Sequence, residues 1–283
     1  MIFNSGIFKK MKALVYVNKE KDRDNFWFEE TSRLFDKYGL PFERIYDETL
    51  QSVSDGDVLF VLGGDGTILG LTEFSNVRNI PIIGINAGKV GFLTEFERNE
   101  TEIAIKSFLD GDMVKDERAT MSFIVGGKTY YALNEVCVQR LCNEMTNAQV
   151  ANVGVSLDGN PIYDVTGDGV IVSTPTGSTA YSLSSGGAIL IPRINAFSVT
   201  PIAPHSLHLR PIVYSADSEC ELSVSDDIST AVFADGKFIT KLSKGQSVSV
   251  SKSKSPTVFL RRKNSDFYQR LVKKLYGRQE LVL

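Results

Sequence analysis

Along roughly the first 115 residues, uninterrupted apolar runs alternate with amphipathic stretches. Ala13 to Val17 reads as a buried strand. Residues 28–38 follow with Phe28, Leu34, Phe35 and Tyr38 on one face of a helix, which Gly39 and Pro41 bring to an end. Val58 to Leu62 is a second apolar run of strand length, residues 68–74 are helix-like, and residues 80–85 form a third strand. Ile103, Ile105, Phe108 and Leu109 predict a further helix over residues 101–109. Strands that are apolar on both faces and separated by helices predict a parallel sheet covered on both sides.

After about Arg118 the pattern changes to short β-rich segments at 121–125, 129–133, 153–157, 170–173, 212–214, 220–224, 231–233, 248–250 and 257–260. Gly126-Gly127, Asp158-Gly159 and Asp235-Gly236 supply turns between several of them, as in an all-β sandwich or barrel. Near the end, Phe267, Leu271 and Leu275 at i, i+4 and i+8 predict a helix that returns to the first domain. The expected organisation is a Rossmann-like α/β domain at 1–118, with 261–283 packing back on it, and a β-rich domain at 119–260. The first ten residues read as a frayed extension.

Composition narrows the chemistry. The chain has 283 residues, 31 Lys and Arg against 34 Asp and Glu, a net charge of −3 and 42% hydrophobic residues. It is globular, with no basic balance suited to nucleic acid. Cys137, Cys142 and Cys220 are odd in number and lack a CxxC pair, which argues against a disulfide framework or zinc ribbon. His205 and His208 are the only histidines, too few for a His-rich metal site, and read as packing residues. No apolar run is long enough to span a bilayer and no signal-peptide profile is present, so the expected setting is soluble and cytoplasmic.

Four motifs carry chemistry. Gly63-Gly64-Asp65-Gly66-Thr67 follows a strand and precedes a helix, where glycine amides and a helix dipole cradle phosphate. Asp65 is out of place in a plain phosphate cradle unless a metal or a proton transfer involves it. The spacing to Gly70 misses the GxGxxG dinucleotide fingerprint by one residue. The loop from Gly84 to Leu93 misses a P-loop, with three residues between its glycines and Val90 after Lys89. Lys89 is either a phosphate ligand or a solvated loop residue. In the third motif, Gly167-Asp168-Gly169 leads through a strand to Thr174-Pro175-Thr176-Gly177-Ser178-Thr179-Ala180-Tyr181 and Ser184, where hydroxyls, amides and a ring suit a polar flat ligand such as a nucleoside. The fourth, Asn134-Glu135, offers a carboxylate that could accept from ribose hydroxyls, or else decorates a surface.

Taken together these residues resemble the NAD kinase family over most of residues 11–276, with the segment from Thr174 to Tyr181 the most specific part. The glycine motif alone is shared with diacylglycerol and sphingosine kinases and with phosphofructokinases. The resemblance implies ATP-dependent phosphorylation of the adenosine ribose 2′-hydroxyl of NAD, with Mg²⁺ bridging donor phosphates. It implies Gly63, Gly64, Gly66, Thr67 and Lys89 at the donor phosphates, and Asp65 as the base. It places Asp65, Gly66, Asn134, Glu135, Asp168, Thr179, Ala180, Tyr181, Ser184 and Lys237 at NAD, in a homodimer or homotetramer. Thr166 stands where many members carry a basic residue, Lys237 replaces a common Gln, and Asn147 and Gln149 are weak candidates for a further contact. The alternatives are a lipid kinase on the same scaffold and a non-catalytic NADP-binding regulator.

Overall fold

The computed structural model describes residues 11–86, 88, 91–141, 150–275 and 277. The chain divides into two compact units, one formed by residues 1–117 together with 258–283, the other by residues 118–257.

The first unit opens with β1 (Ala13–Val17), α1 (Phe26–Lys37) and β2 (Phe42–Ile45). Next come β3 (Val58–Leu62), α2 (Asp65–Leu69), α3 (Thr72–Arg78), β4 (Ile82–Asn86), β5 (Phe96–Glu97), α4 (Thr101–Leu109) and β6 (Met113–Arg118). All five residues of β3 and of β4 are buried, as apolar strands of a covered parallel sheet must be. The β1 strand pairs in parallel with both β2 and β3, and β3 with β4. Helix α1 starts because the buried Asp22 carboxylate accepts from the Trp27 and Phe28 N–H groups, two of the donors a helix start leaves without partners. Its buried stripe is Trp27, Thr31 and Phe35, at i, i+4 and i+8, with Phe35 stacked edge-on against Phe60 of β3. The single helix expected over 68–74 is two, α2 and α3, separated by Gly70 and Leu71.

The second unit is a sandwich of two six-stranded antiparallel sheets. Its strands are β7 (Met121–Val125), β8 (Lys128–Ala132), β9 (Glu135–Arg140), β10 (Ala151–Leu157), β11 (Asn160–Gly167) and β12 (Gly169–Ser173). After the short α5 (Tyr181–Ser184) come β13 (Ala196–Ile202), β14 (Ile212–Ser215), β15 (Cys220–Val224), β16 (Thr230–Ala234), β17 (Lys237–Leu242) and β18 (Ser247–Lys252). One sheet runs β11-β10-β15-β18-β7-β8 and the other β14-β13-β12-β9-β16-β17. The core between them draws Phe123, Val153, Leu222 and Val250 from one and Val138, Val170, Val172 and Phe197 from the other.

The chain then re-enters the first unit through β19 (Thr257–Arg262) and α6 (Phe267–Leu275). The sequence pattern grouped 257–260 with the β-rich domain. The strand instead lies between β4 and β6 in the first sheet, parallel to β4, with Thr257, Phe259 and Arg261 buried in alternation. A compact charge cluster fastens this returning segment. Arg261, 2% exposed, donates to Asp116 through Nε, to Glu95 through Nη1 at 3.0 Å and to the Phe92 carbonyl through Nη2 at 3.3 Å. Arg270 on α6 donates to the same Glu95 oxygen at 2.6 Å and to the Ser265 hydroxyl at 2.7 Å, while Ser265 itself donates to Glu95 at 2.9 Å.

Candidate functional site

In the first unit β3 delivers the glycine motif. The Gly63 N–H donates to the Ile85 carbonyl at 2.9 Å and so extends the β3–β4 ladder by one rung. The N–H groups of Gly64, Asp65 and Gly66 follow at the start of α2, where no carbonyl of that helix reaches them. The β1–α1 connection borders this turn. Asn18 Nδ2 donates to Thr67 Oγ1 at 2.9 Å, and the exposed Lys21 ammonium stands over Gly64, 3.0 Å from where a Cβ on that residue would be. A cation over glycine amides is suited to an anionic ligand.

The Asp65 side chain is held by the loop that follows β4. Its Oδ2 accepts from the Phe92 N–H at 2.8 Å, and its Oδ1 from Leu93 at 3.1 Å and Thr94 at 3.4 Å. The loop is itself folded by a bond from the Gly91 N–H to Thr94 Oγ1 at 2.8 Å. Position 91 admits only glycine, since a Cβ there would fall on the Asp65 carboxylate. A carboxylate has about four acceptor directions, so one direction on Oδ2 stays open.

In the second unit the Leu133–Asn134–Glu135 backbone is bonded from two sides. Asp235, in the left-handed region at φ 48°, turns its carboxylate to accept the N–H groups of Leu133 at 2.9 Å, Asn134 at 2.7 Å and Glu135 at 3.2 Å. From the other side Thr174 donates its hydroxyl to the Leu133 carbonyl at 2.6 Å and its N–H to the Asn134 carbonyl at 2.9 Å. Gly177 packs so closely on the Asn134 carbonyl that any side chain at 177 would overlap it. The Glu135 side chain is 7% exposed, and among the described residues its Oε2 has no hydrogen-bond partner. Burial, and after it the Asp235 charge, push the Glu135 carboxyl up to about 8. Burial also raises Asp235, while the three amides and Lys237 pull it back.

The hydroxyl-rich loop leads away from this turn. Ser178 donates to the Pro175 carbonyl at 2.7 Å and accepts from the Leu190 N–H at 2.9 Å, and Ser182 bonds Thr200 at 3.0 Å. These buried hydroxyls fold the loop, whereas Thr179 and Ala180 are partly open and Tyr181 and Ser184 are exposed. Asp168 accepts from Arg140 Nε at 2.6 Å and, through its carbonyl, from the Arg140 N–H at 2.9 Å.

Two family models match the chain. The ATP-NAD kinase N-terminal domain covers residues 10–113 and the ATP-NAD kinase C-terminal domain residues 133–262. The NAD kinase of Caldicellulosiruptor bescii is 32% identical over 94% of this chain and 99% of its own. That of Thiobacillus denitrificans is 30% identical over 98% and 95%. The chain belongs to the NAD kinase family. Among solved structures, an NAD kinase from Archaeoglobus fulgidus in complex with ATP has a TM-score of 0.77 and 26% identity, covering 94% of this chain and 99% of that one. Yeast NADH kinase complexed with NADH shares the fold, with a TM-score of 0.81 at 24% identity, covering 97% and 90%.

Measured against NAD kinase expectations, the structure draws Asn134, Glu135 and the loop from Thr174 to Tyr181 together in one unit, and the glycine motif with Asp65 in the other. Lys89, Asn147 and Gln149 lie outside the described residues. Thr166 bonds Asn152 at 2.5 Å rather than Asp168, and the guanidinium at Asp168 comes from Arg140. Lys237 is exposed at the start of β17. His205 and His208 are corrected: both are exposed on the loop after β13 and pack against nothing in the core. Sequence reasoning missed Lys21, Asn18, Arg140 and Asp235. Only Asp235 carried a signal, an Asp-Gly turn, and that signal predicts a turn without its target.

Proposed function

We infer that this protein transfers the terminal phosphoryl group of ATP to the 2′-hydroxyl of the adenosine ribose of NAD, giving NADP. The observation that carries the reading is the buried Glu135 Oε2, left without a partner in a backbone that Asp235 and Thr174 otherwise bond throughout. A buried polar atom so placed calls for a ligand partner, and a ribose hydroxyl, which both donates and accepts, is one. Asn134 is the preceding residue, and Tyr181, 40% exposed, offers a ring for a base. In the first unit the amides of Gly64, Asp65 and Gly66, with Lys21 above them, receive donor phosphate. Thr67 is fixed by Asn18 as part of that turn.

Phosphoryl transfer depends on alignment and charge neutralisation. Among the described residues no group of three His, Cys, Asp or Glu side chains forms a cation cage. Mg²⁺ carried by the nucleotide would supply the charge neutralisation when bound. Asp65, held by three amides with one direction on Oδ2 open, takes the 2′-hydroxyl proton. The same three bonds favour a second reading, in which Asp65 only secures the 91–94 loop.

An Asp65→Asn variant separates the two. The base reading expects kcat to fall roughly 10²–10⁴-fold with NAD affinity kept; turnover near that of the unaltered enzyme would leave only the structural role. Incubation with ATP, Mg²⁺ and either NAD, NADH or diacylglycerol, followed by identification of the phosphorylated product, tests the function as a whole. NADP as product is the expected result. The family likeness extends the reading to a cytoplasmic homodimer or homotetramer.

A further inference from the structure

A cluster of four charges, Arg261, Arg270, Glu95 and Asp116, sits in the first unit with exposures of 2%, 15%, 6% and 20%. Burying ions costs desolvation, and replacing such clusters by apolar residues is often neutral or stabilising. Fastening α6 to the sheet therefore does not by itself account for the cluster. Its connection to Asp65 does. The N–H of Phe92 donates to Asp65 Oδ2 at 2.8 Å, and the carbonyl of the same residue accepts from Arg261 Nη2 at 3.3 Å. Three residues on, Glu95 receives Arg261, Arg270 and Ser265 on one oxygen, and its own N–H donates to the Gly84 carbonyl at 2.9 Å. The loop that orients Asp65 is thus held at Phe92 and at Glu95 by side chains that arrive more than 160 residues later in the chain.

We propose that Arg261, seated by Glu95 and Arg270, is a positioning residue for Asp65, acting through the Phe92 carbonyl, whose peptide carries the Leu93 N–H that bonds Asp65 Oδ1, to fix the direction of its open lone pair. The proposal rests on the reading of Asp65 as the base. It predicts a defect in turnover that exists only while Asp65 is a carboxylate able to take a proton.

The test is a double-mutant cycle in the full-length protein, with NADP formation measured at saturating ATP, Mg²⁺ and NAD. Arg261→Met should lower kcat at least tenfold while KM for NAD and for ATP stays within twofold. In the Asp65→Asn background the same substitution should leave the residual rate unchanged. Equal losses in both backgrounds, or full kcat in a folded Arg261→Met protein, overturn the proposal. Removing Arg261 takes one partner from each of two acidic groups, so Ser265→Ala, which deletes the hydroxyl bonds to Glu95 and from Arg270 but removes no charge, serves where Arg261→Met does not fold. It should lower kcat two- to fivefold, again only when Asp65 is present, and an additive or absent loss overturns the proposal equally. Should Asp65→Asn alone retain turnover, the base reading fails and the positioning role falls with it. A large loss in Asp65→Asn combined with additivity removes the positioning role alone.

Discussion

On the proposed reading, Glu135, at 7% exposure beside the Asp235 carboxylate, brings its own proton into the ligand chemistry. With a folded value near 8 against about 4.3 for an unfolded chain, the group keeps its proton in the native state over a pH range where the unfolded chain has lost it. Its contribution to stability is therefore complete below about pH 4, falls as pH rises towards 8 and changes no further above that. Glu135→Gln should flatten this slope and raise Tm relative to the unaltered protein at pH 8, measured by thermal melts across pH. Ribose hydroxyls donate best to the ionised carboxylate, so KM for NAD should fall as pH rises from 6 to 8. That trend should disappear in Glu135→Gln; a trend that persists would assign it to another group. What the sequence offered here was the Asn-Glu pair alone. The proton comes from burial and from Asp235, a hundred residues away, and no local pattern announces either.

At the scale of elements, the loop between β12 and α5 shows how residue type and role can part company. Its hydroxyls read as ligand donors in the sequence, yet Thr174, Ser178 and Ser182 spend theirs inside the protein. The loop's contribution is shape, set where Gly177 touches the Asn134 carbonyl. Gly177→Ala should push the loop off that strand end and raise KM for NAD at least tenfold, with KM for ATP changed little, as steady-state kinetics would show. The regular strands and helices were legible where one periodicity ran unbroken, as in β1, β3, β4 and α4. β11 and β13 were not, because Pro161 and Pro201 interrupt what otherwise reads as strand, and both prolines are accommodated within antiparallel pairs. Residues 257–260 were legible as a strand and not as a member of the first sheet, since a short β-branched and apolar run marks a strand and says nothing of the neighbours on its edges.

For the molecule as a whole, a net charge of −3 excludes a general basic surface, and the charges that matter are local: Lys21 over glycine amides, Arg140 on Asp168, Arg261 and Arg270 on Glu95. Among the described residues no helix is long and apolar enough to cross a membrane. Each unit has its own core, so damage to one should be separable from the other. Deleting residues 258–283 removes an interior strand from the first sheet. Hydrogen exchange should then show protection lost in β4 and β6 but retained in β12 and β13. The place of β19 also imposes an order on biosynthesis. A ribosome adding roughly 5–20 residues per second needs roughly 7–28 s to pass from β6 to β19, and through that interval the first sheet has a gap where β19 belongs. The sandwich can fold meanwhile and draw the ends of its roughly 140 residues together, which lowers the entropy cost of closing the loop. The nascent chain would then complete the sandwich first. The first unit, with the loop that holds Asp65, could be finished only once β19 emerges.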